Sequence, residues 1–547
     1  MTSAALTRSA SALALAVALA LPGAPLRAQA VVPVVAQAPL PEAVSAFRQG
    51  LAEAAADDAV IAAFYQDRAY APFWTDAAAA DRRAALLSAL AGAAAHGLPV
   101  ARYDADALIA AFGAARTEGD RGRLEVVMTR AFLDYARDVQ TGALEPGKVD
   151  AGIKREVPVR DRAANLAIFA AAAEPAAFLA DLPPASQEYA QLMKARFDLD
   201  RAIARGGWGP AIRATSVEPG QSGAAVIELR DRLVALGYLP MGAAMQTYDA
   251  QVSRAVQAFQ TDHGLEADGV AGAGTVAEMN VTPEDRLKSV IVAMERERWM
   301  NIERGKRHIW VNLTDFTAKI IDDGRVTFAT RAVVGAQNPD KRTPEFSHKM
   351  TYMELNPDWT VPGGIIKRDY LPKLQANPNA LRHLQIIDRR GRVVPRDQID
   401  FTTLSASNFP FNLRQAPGDG NALGLVKFMF PNPHAIYLHD TPEKHLFARE
   451  SRTYSSGCVR LNDPFDFAYE LLSRQEADPK AAFDAVLNTG RQERIFLKEP
   501  VPIHLEYRTA FSNPKGHMQY RRDMYGRDGR IFEALEKAGV VLSAPRS

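Results

Sequence analysis

The chain has 547 residues, 65 basic against 64 acidic, a formal charge of +1 and one cysteine. That balance excludes a general nucleic-acid binder, which needs a basic excess or stripe, and a lone cysteine excludes an intramolecular disulfide framework. Hydrophobic content of 47% is ordinary for globular protein, and the length suits roughly three or four domains.

Residues 1–30 read as a signal peptide. Arg8 precedes the apolar run "ALALAVALALPG", and Ala28-Gln29-Ala30 fits a small-x-small cleavage site. The run from Ala10 to Leu21 is short for a transmembrane helix, and an uncleaved anchor is the alternative. Residues 31–42, "VVPVVAQAPLPE", read as a Pro-rich linker. From 43 to 217 apolar residues recur at three-to-four spacing, as in "AVSAFRQGLAEAA", "AVIAAFYQDRAYAPFWTD" and "RGRLEVVMTRAFLDYARDVQTG", which predicts a helical scaffold. Leu124, Val127, Met128, Phe132 and Tyr135 make one predicted core face.

Residues 218–283 predict a compact three-helix unit. Val226, Leu229 and Leu233 share one helix face, Val252, Val256 and Phe259 another, and a short helix starts near Gly274. "LRDRLVALGYL", "YDAQVSRAVQAFQTDHGLEADGVAG" and "GTVAEMN" make this unit resemble the peptidoglycan-binding domain. A plain helical spacer is the alternative. The remainder, 284–547, turns to strands from about 305: "RHIWVNLTDFTAKIID", "VTFATRAVVG", "HKMTYMELNP", "HAIYLHD" and "ERIFLKEPVPIHLEY" are rich in β-branched and aromatic residues. Residues 363–424 interrupt them with helical and Gly/Pro-rich segments. An insertion that long between core strands predicts a lid. Residues 506–547 form a C-terminal extension. The fold class is therefore α+β and multidomain, its last part mostly β.

The cysteine sits in "HDTPEKHLFARESRTYSSGCVRLND", from His439 to Asp463. "HAIYLHD" predicts a strand that carries Tyr437 and His439 on one face. A polar loop leads to "SSGCVRL", and Asp463-Pro464 opens a helix. A thiol must lose its proton to attack a carbonyl. An imidazole takes it and, as imidazolium, stabilises the thiolate. Gly457 permits close backbone approach, and the N–H groups of Gly457 and Cys458 are placed to face a developing oxyanion. A backbone carbonyl is the expected partner that orients His439. The plain alternative is a buried, inert thiol.

His439 followed by Ser455-Ser456-Gly457-Cys458-Val459-Arg460 resembles the catalytic signature of L,D-transpeptidases, exported cysteine enzymes of peptidoglycan. Asp440 stands where Gly is common, and Ser456 where His is common. Both departures, with "NPDWTVP", "RQAPGDGNALGLVKFMFPN" and "YRTAF", resemble the large multidomain branch of Gram-negative bacteria. The resemblance implies a periplasmic protein with Cys458 as nucleophile and His439 as base, supported by Gly457, Ser456, Tyr437 and Arg460. Trp359 and Asn462 would contact substrate. Arg460 either braces its loop or meets substrate, and Tyr437 and Trp359 have core packing as their plain reading. The implied partners are peptidoglycan stem peptides, a donor tetrapeptide and an acceptor amine, together with glycan synthases. The implied product is a 3–3 cross-link, and the chemistry needs no metal or organic cofactor. Three rivals stand beside it. An L,D-carboxypeptidase would use water as acceptor. A non-catalytic wall anchor would not require Cys458 and His439 together. A zinc peptidase built on His434, His439 and His445 lacks His-Glu-x-x-His, and strand alternation sets His434 and His439 on opposite faces.

Overall fold

The computed structural model describes residues 44–242 and 246–542. The signal-peptide and linker expectations lie outside the described residues. Among the described residues no helix is long and apolar enough to cross a membrane.

The scaffold is helical, and its spine is the helix Glu118–Thr141, opened by a reciprocal capping box between Thr117 and Asp120. Leu124, Met128, Phe132 and Tyr135 are buried on it as predicted, but Val127 is 44% exposed. Glu125 takes the inward position instead. Its carboxylate accepts the N–H groups of Phe73, Trp74 and Thr75 at 2.7–3.0 Å, so the buried charge is satisfied. The helix predicted across "AVIAAFYQDRAYAPFWTD" stops at Asp67, because Ala69 and Tyr70 adopt positive φ.

The three-helix unit comprises Ala224–Ala235, Ala250–Asp262 and Ala273–Met279. Val226, Leu229, Leu233, Val252, Val256 and Phe259 close its own core. The helix Pro283–Trp299, placed by sequence with the strands, packs elsewhere. Leu287, Val290, Ile291 and Met294 join the scaffold core, along with Ile531 and Leu535 of the helix Arg527–Ala538. Buried charges pin these two helices to each other and to the sheet. Arg296 reaches Glu345 at 2.5 Å and Asp528 at 3.1 Å, and Arg527 reaches Glu345 at 3.1 Å.

Fourteen strands follow among the described residues: β1 (Arg307–Asn312), β2 (Thr317–Asp322), β3 (Arg325–Gly335), β4 (Phe346–Leu355), β5 (Trp359–Thr360), β6 (Gln385–Ile387), β7 (Asn412–Gln415), β8 (Val426–Met429), β9 (Leu438–His439), β10 (Thr453–Ser455), β11 (Val459–Leu461), β12 (Glu493–Glu506), β13 (Ala510–Ser512) and β14 (Met518–Tyr520). Nine of them form one mixed sheet in the order β10-β3-β11-β9-β8-β4-β12-β1-β2, and β2 also pairs with β3, so the ladder closes on itself. The lid has its own three-stranded sheet, β5-β7-β6, and its own core of Trp359, Ile366, Leu374, Ile386, Phe401 and Leu413. That sheet begins at Trp359, ahead of residue 363. Tyr437 packs against both the lid core and the main-sheet core, which puts the join between the two at the cysteine.

Candidate active site

The site lies where the parallel pair β9 and β11 leaves the sheet. Its register sets Val459 opposite Leu438 and Arg460 opposite His439, so Cys458 enters level with Tyr437. The predicted strand "HAIYLHD" shrinks to Leu438–His439, because Ala435 takes a φ of 53° and bends the chain before it. His434 consequently lines the same cavity as His439 instead of the opposite face. Among the described residues no three His, Cys, Asp or Glu side chains group to hold a metal ion.

Cys458 opens into a cavity of about 1010 Å³ lined in part by the insertion, through Trp359, Tyr370 and Leu423 among others. Its Sγ donates to the Ala435 carbonyl at 3.6 Å, and Tyr437 beside it favours the ionised sulfur. The Lys427 ammonium lies 4.4 Å over the Tyr437 ring. The rings of Tyr437 and His439 are 5.6 Å apart on one strand face. The backbone carbonyl of Asp440 accepts from Nδ1 of His439, and the Leu423 backbone also lies against the ring. Asp440 itself is fixed, its carboxylate taking the Leu425 N–H at 3.0 Å and the Lys444 ammonium at 2.8 Å.

Electrostatics correct one expectation. Burial pushes the Cys458 thiol up to about 11, although Tyr437, Lys427 and Arg460 oppose the rise. Burial and the Arg460 charge push His439 down to about 3. At neutral pH the resting site is thus a neutral thiol beside a neutral imidazole, not the thiolate–imidazolium pair expected from residue types. No hydrogen bond joins the two side chains among the described residues. Desolvation under the lid outweighs the nearby cations, since both charged forms lose water there.

The other candidates divide. Trp359, Tyr437, Ser456 and Arg460 line the cavity, and Arg460 also pairs with Glu443. Gly457 has a φ of 123°, which favours glycine. Its N–H, expected to face an oxyanion, donates instead to Ser455 Oγ at 3.1 Å. Of the two proposed donors, the Cys458 N–H is the one left without a partner among the described residues. Asn462 does not line the cavity: its N–H meets the Arg331 carbonyl, its carbonyl takes Lys444, and its amide binds Asp463 at 2.7 Å. Asp463 holds the helix Pro464–Leu472 without capping it by side chain, because its carboxylate takes the Thr330 hydroxyl at 2.8 Å.

Sequence reasoning missed Ser455 and Thr343. Ser455 Oγ donates to the Cys458 carbonyl at 2.5 Å, bracing the turn from inside. The fully buried Thr343 donates to the Gly457 carbonyl at 2.8 Å and accepts the Gly335 N–H at 2.9 Å. Ser455 stands in the motif and was in view, whereas Thr343 lies 114 residues from Gly457 and leaves no local signal. Thr343→Val strands both backbone groups, costing about 1–3 kcal/mol and loosening the nucleophile turn. Acylation of Cys458 by a β-lactam, followed by intact mass, should slow about tenfold. Thr343→Ser, which keeps the hydroxyl, should restore it. Equal rates in the valine variant would remove Thr343 from the site.

Residues 306–503 match the family model of the L,D-transpeptidase catalytic domain, 222–279 that of a "Putative peptidoglycan binding domain", and 59–195 that of a scaffold domain. A Haemophilus influenzae protein named "Putative L,D-transpeptidase" is 33% identical over 259 residues, 47% of this chain and 50% of its own. The chain thus spans about half the length of that curated relative. Solved L,D-transpeptidases of Xylanimonas cellulosilytica and Stackebrandtia nassauensis are each 15% identical, cover 55% of this chain and 98% and 97% of their own, and give TM-scores of 0.17 and 0.21. This chain carries an L,D-transpeptidase catalytic domain, preceded by a peptidoglycan-binding domain and a scaffold domain.

Proposed function

We propose that the protein is an exported L,D-transpeptidase that forms 3–3 cross-links in peptidoglycan through a thioester at Cys458. The observation that carries the reading is that Cys458 and the His439 imidazole line one cavity, with Nδ1 of the imidazole fixed on the Asp440 carbonyl. The donor is a tetrapeptide stem. Sγ attacks the carbonyl of its third residue while the thiol proton passes to His439 Nε2, so the uphill thiolate need not accumulate. Attack requires the S–H to turn from the Ala435 carbonyl toward the imidazole. The tetrahedral oxyanion meets the Cys458 N–H. Collapse breaks the C–N bond to the terminal D-Ala, whose amine leaves with the proton from His439. A side-chain amine of a neighbouring stem then attacks the thioester and gives its proton to His439, and Sγ leaves and takes that proton back.

The lid supports this order of events. Trp359 belongs to its core, against which Tyr437 packs, while Lys341 outside it holds Asp369 within it at 3.0 Å. Residues of the insertion line one side of the cavity and reduce the access of water to the thioester, which favours an amine acceptor over hydrolysis and so transpeptidation over carboxypeptidase action. The peptidoglycan-binding unit keeps the enzyme on its polymer, and glycan synthases are the partners that would supply fresh strands. Export to the periplasm by residues 1–30 completes the reading. Incubation with purified sacculi followed by mass spectrometry of the muropeptides tests it. Dimers linked between third residues, with release of D-Ala, are expected. Release of D-Ala without dimers would reassign the protein as a carboxypeptidase, and no change in the muropeptides would reject the enzyme.

A further inference from the structure

One proton in each turnover of the route above has no carrier. A side-chain amine on the acceptor stem is an ammonium at neutral pH, since its ordinary pKa is about 10.4. Attack on the thioester forms a C–N bond and breaks the C–S bond. Of the ammonium's protons, one stays on the new amide and one returns to Sγ through His439. The third must reach solvent. His439 is 5% exposed and its Nδ1 is held on the Asp440 carbonyl, so it is poorly placed to carry that proton out.

His434 lines the same cavity and is half-buried, so it faces both the reacting groups and solvent. It precedes Ala435, whose carbonyl takes the Cys458 S–H at 3.6 Å. The left-handed φ of Ala435 is uncommon for a residue with a Cβ. Asn432 fixes that turn: its Oδ1 accepts the His434 N–H at 3.0 Å, and its Nδ2 donates to the Ile436 carbonyl at 2.7 Å. The Phe346 ring meets the imidazole edge-on at 5.0 Å. Neither ring nitrogen has a hydrogen-bond partner among the described residues. Burial, then the charges of Lys154 and His348, hold His434 below the ordinary imidazole range, which leaves it neutral and able to accept a proton at pH 7.

The other charged groups of the cavity do not fill this role. Lys341 and Arg368 are cations, both paired with Asp369 at 3.0 and 3.1 Å. Arg460 pairs with Glu443, and Lys373 is a cation. Asp340 is exposed and has no ion-pair partner among the described residues, so it adds attraction for an ammonium, but a carboxylate is a weaker base than an imidazole. His383 is exposed on the insertion, away from the strand pair that carries the thiol. We propose that His434 is a second base, confined to the acceptor half of the reaction: it takes one proton from the incoming ammonium as the amine attacks the thioester, and releases it to solvent once Sγ is free. The inference rests on the transpeptidase reading above and adds to it the residue that handles the acceptor's charge.

The test uses the full chain and a disaccharide tetrapeptide, which serves as both donor and acceptor. Rapid quenching and mass spectrometry follow D-Ala release, the thioester and the cross-linked dimer at several pH values. His434→Gln is compared with wild type and with His383→Gln, and thermal transitions monitor folding. Wild-type dimer formation should be nearly flat from pH 7 to 9 and fall at acid pH as His434 takes up its proton. In His434→Gln the first release of D-Ala should keep its rate while the thioester accumulates. Dimer formation should be slower about tenfold or more at pH 7. It should then climb about tenfold per pH unit, because only amine already deprotonated in solution can attack, and the gap to wild type should close. His383→Gln should not reproduce this profile. Equal dimer formation in His434→Gln at pH 7, or a deficit as large at pH 9 as at pH 7, would overturn the assignment and leave the enzyme reading intact. A closing deficit in His383→Gln alone would overturn it in favour of the insertion. A wild type that releases no D-Ala, or forms no dimer, would refute the transpeptidase itself and this base with it, a result read before any variant is compared.

Discussion

Cys458→Ala should abolish both cross-linking and adduct formation with carbapenems while leaving the protein folded and bound to sacculi. The loss should be on the order of 10⁴-fold or more, as for other covalent nucleophiles removed outright. Cys458 is the only cysteine in the chain, and the Tyr437 hydroxyl is held far above its ordinary ionisation by burial and by the sulfur beside it. The fold should survive. The side chain is only partly buried and makes one weak donor contact, 3.6 Å to a carbonyl. Intact-mass analysis of wild type and variant after carbapenem treatment gives the reading, with pelleting on sacculi as the control. A variant that still took up the drug, or a wild-type adduct on any other residue, would reject the nucleophile.

The second expected result concerns pH. In the wild type the thiol ionises at about 11 and the imidazole at about 3. Between those limits both groups stay neutral, so neither changes its charge from pH 5 to 9. Acylation that passes the proton directly to a neutral His439 should be nearly flat across that window. His439→Ala leaves only the thiolate route. A thiol with a pKa of about 11 is ionised to about one part in 10⁴ at pH 7, and the variant should be slower by about 10²-fold or more there. Its rate should then climb about tenfold per pH unit up to pH 9, because each unit multiplies the thiolate by that factor. Rapid-mixing acylation with a small β-lactam, at several pH values for both proteins, separates the cases. A wild-type rate that rises steeply through pH 7 would show that the thiolate, not the thiol, is the reactant. Equal rates in the two proteins at pH 7 would remove His439 from the proton path.

Placement was legible where it rests on local order. Cys458 and His439, picked from one continuous stretch, line one cavity, and the shared face of Tyr437 and His439 follows from strand alternation alone. The three-helix unit was readable because its apolar residues keep strict helical spacing. What depended on distant contacts was not. Thr343 reaches Gly457 across the fold, and nothing around either residue announces it. The helix Pro283–Trp299 lacks a polar face to show which core it serves, since most of it is buried between scaffold and sheet. The Gly457 N–H looked free in sequence, but the Ser455 hydroxyl, two residues away, folds back to claim it. The expected ion pair failed for a different reason. Residue types supply the cations, but only the roof of the lid reveals how much water the site has lost.

The brace behind the nucleophile turn does not end at Thr343. Tyr525 donates to the Gly335 carbonyl at 2.6 Å, and Arg527 donates to the Thr343 carbonyl at 3.1 Å. Both residues come after every strand of the main sheet in chain order. A polypeptide emerging from the ribosome, or threading through a membrane N-terminus first, presents its thiol before the parts that set it. A molecule arrested or clipped just beyond β12 would keep Cys458, His439 and the lid, yet leave the turn without its backing. On the function proposed above, the turn that carries Cys458 would gain its full backing only once the segment from Tyr525 onward has folded against Gly335 and Thr343.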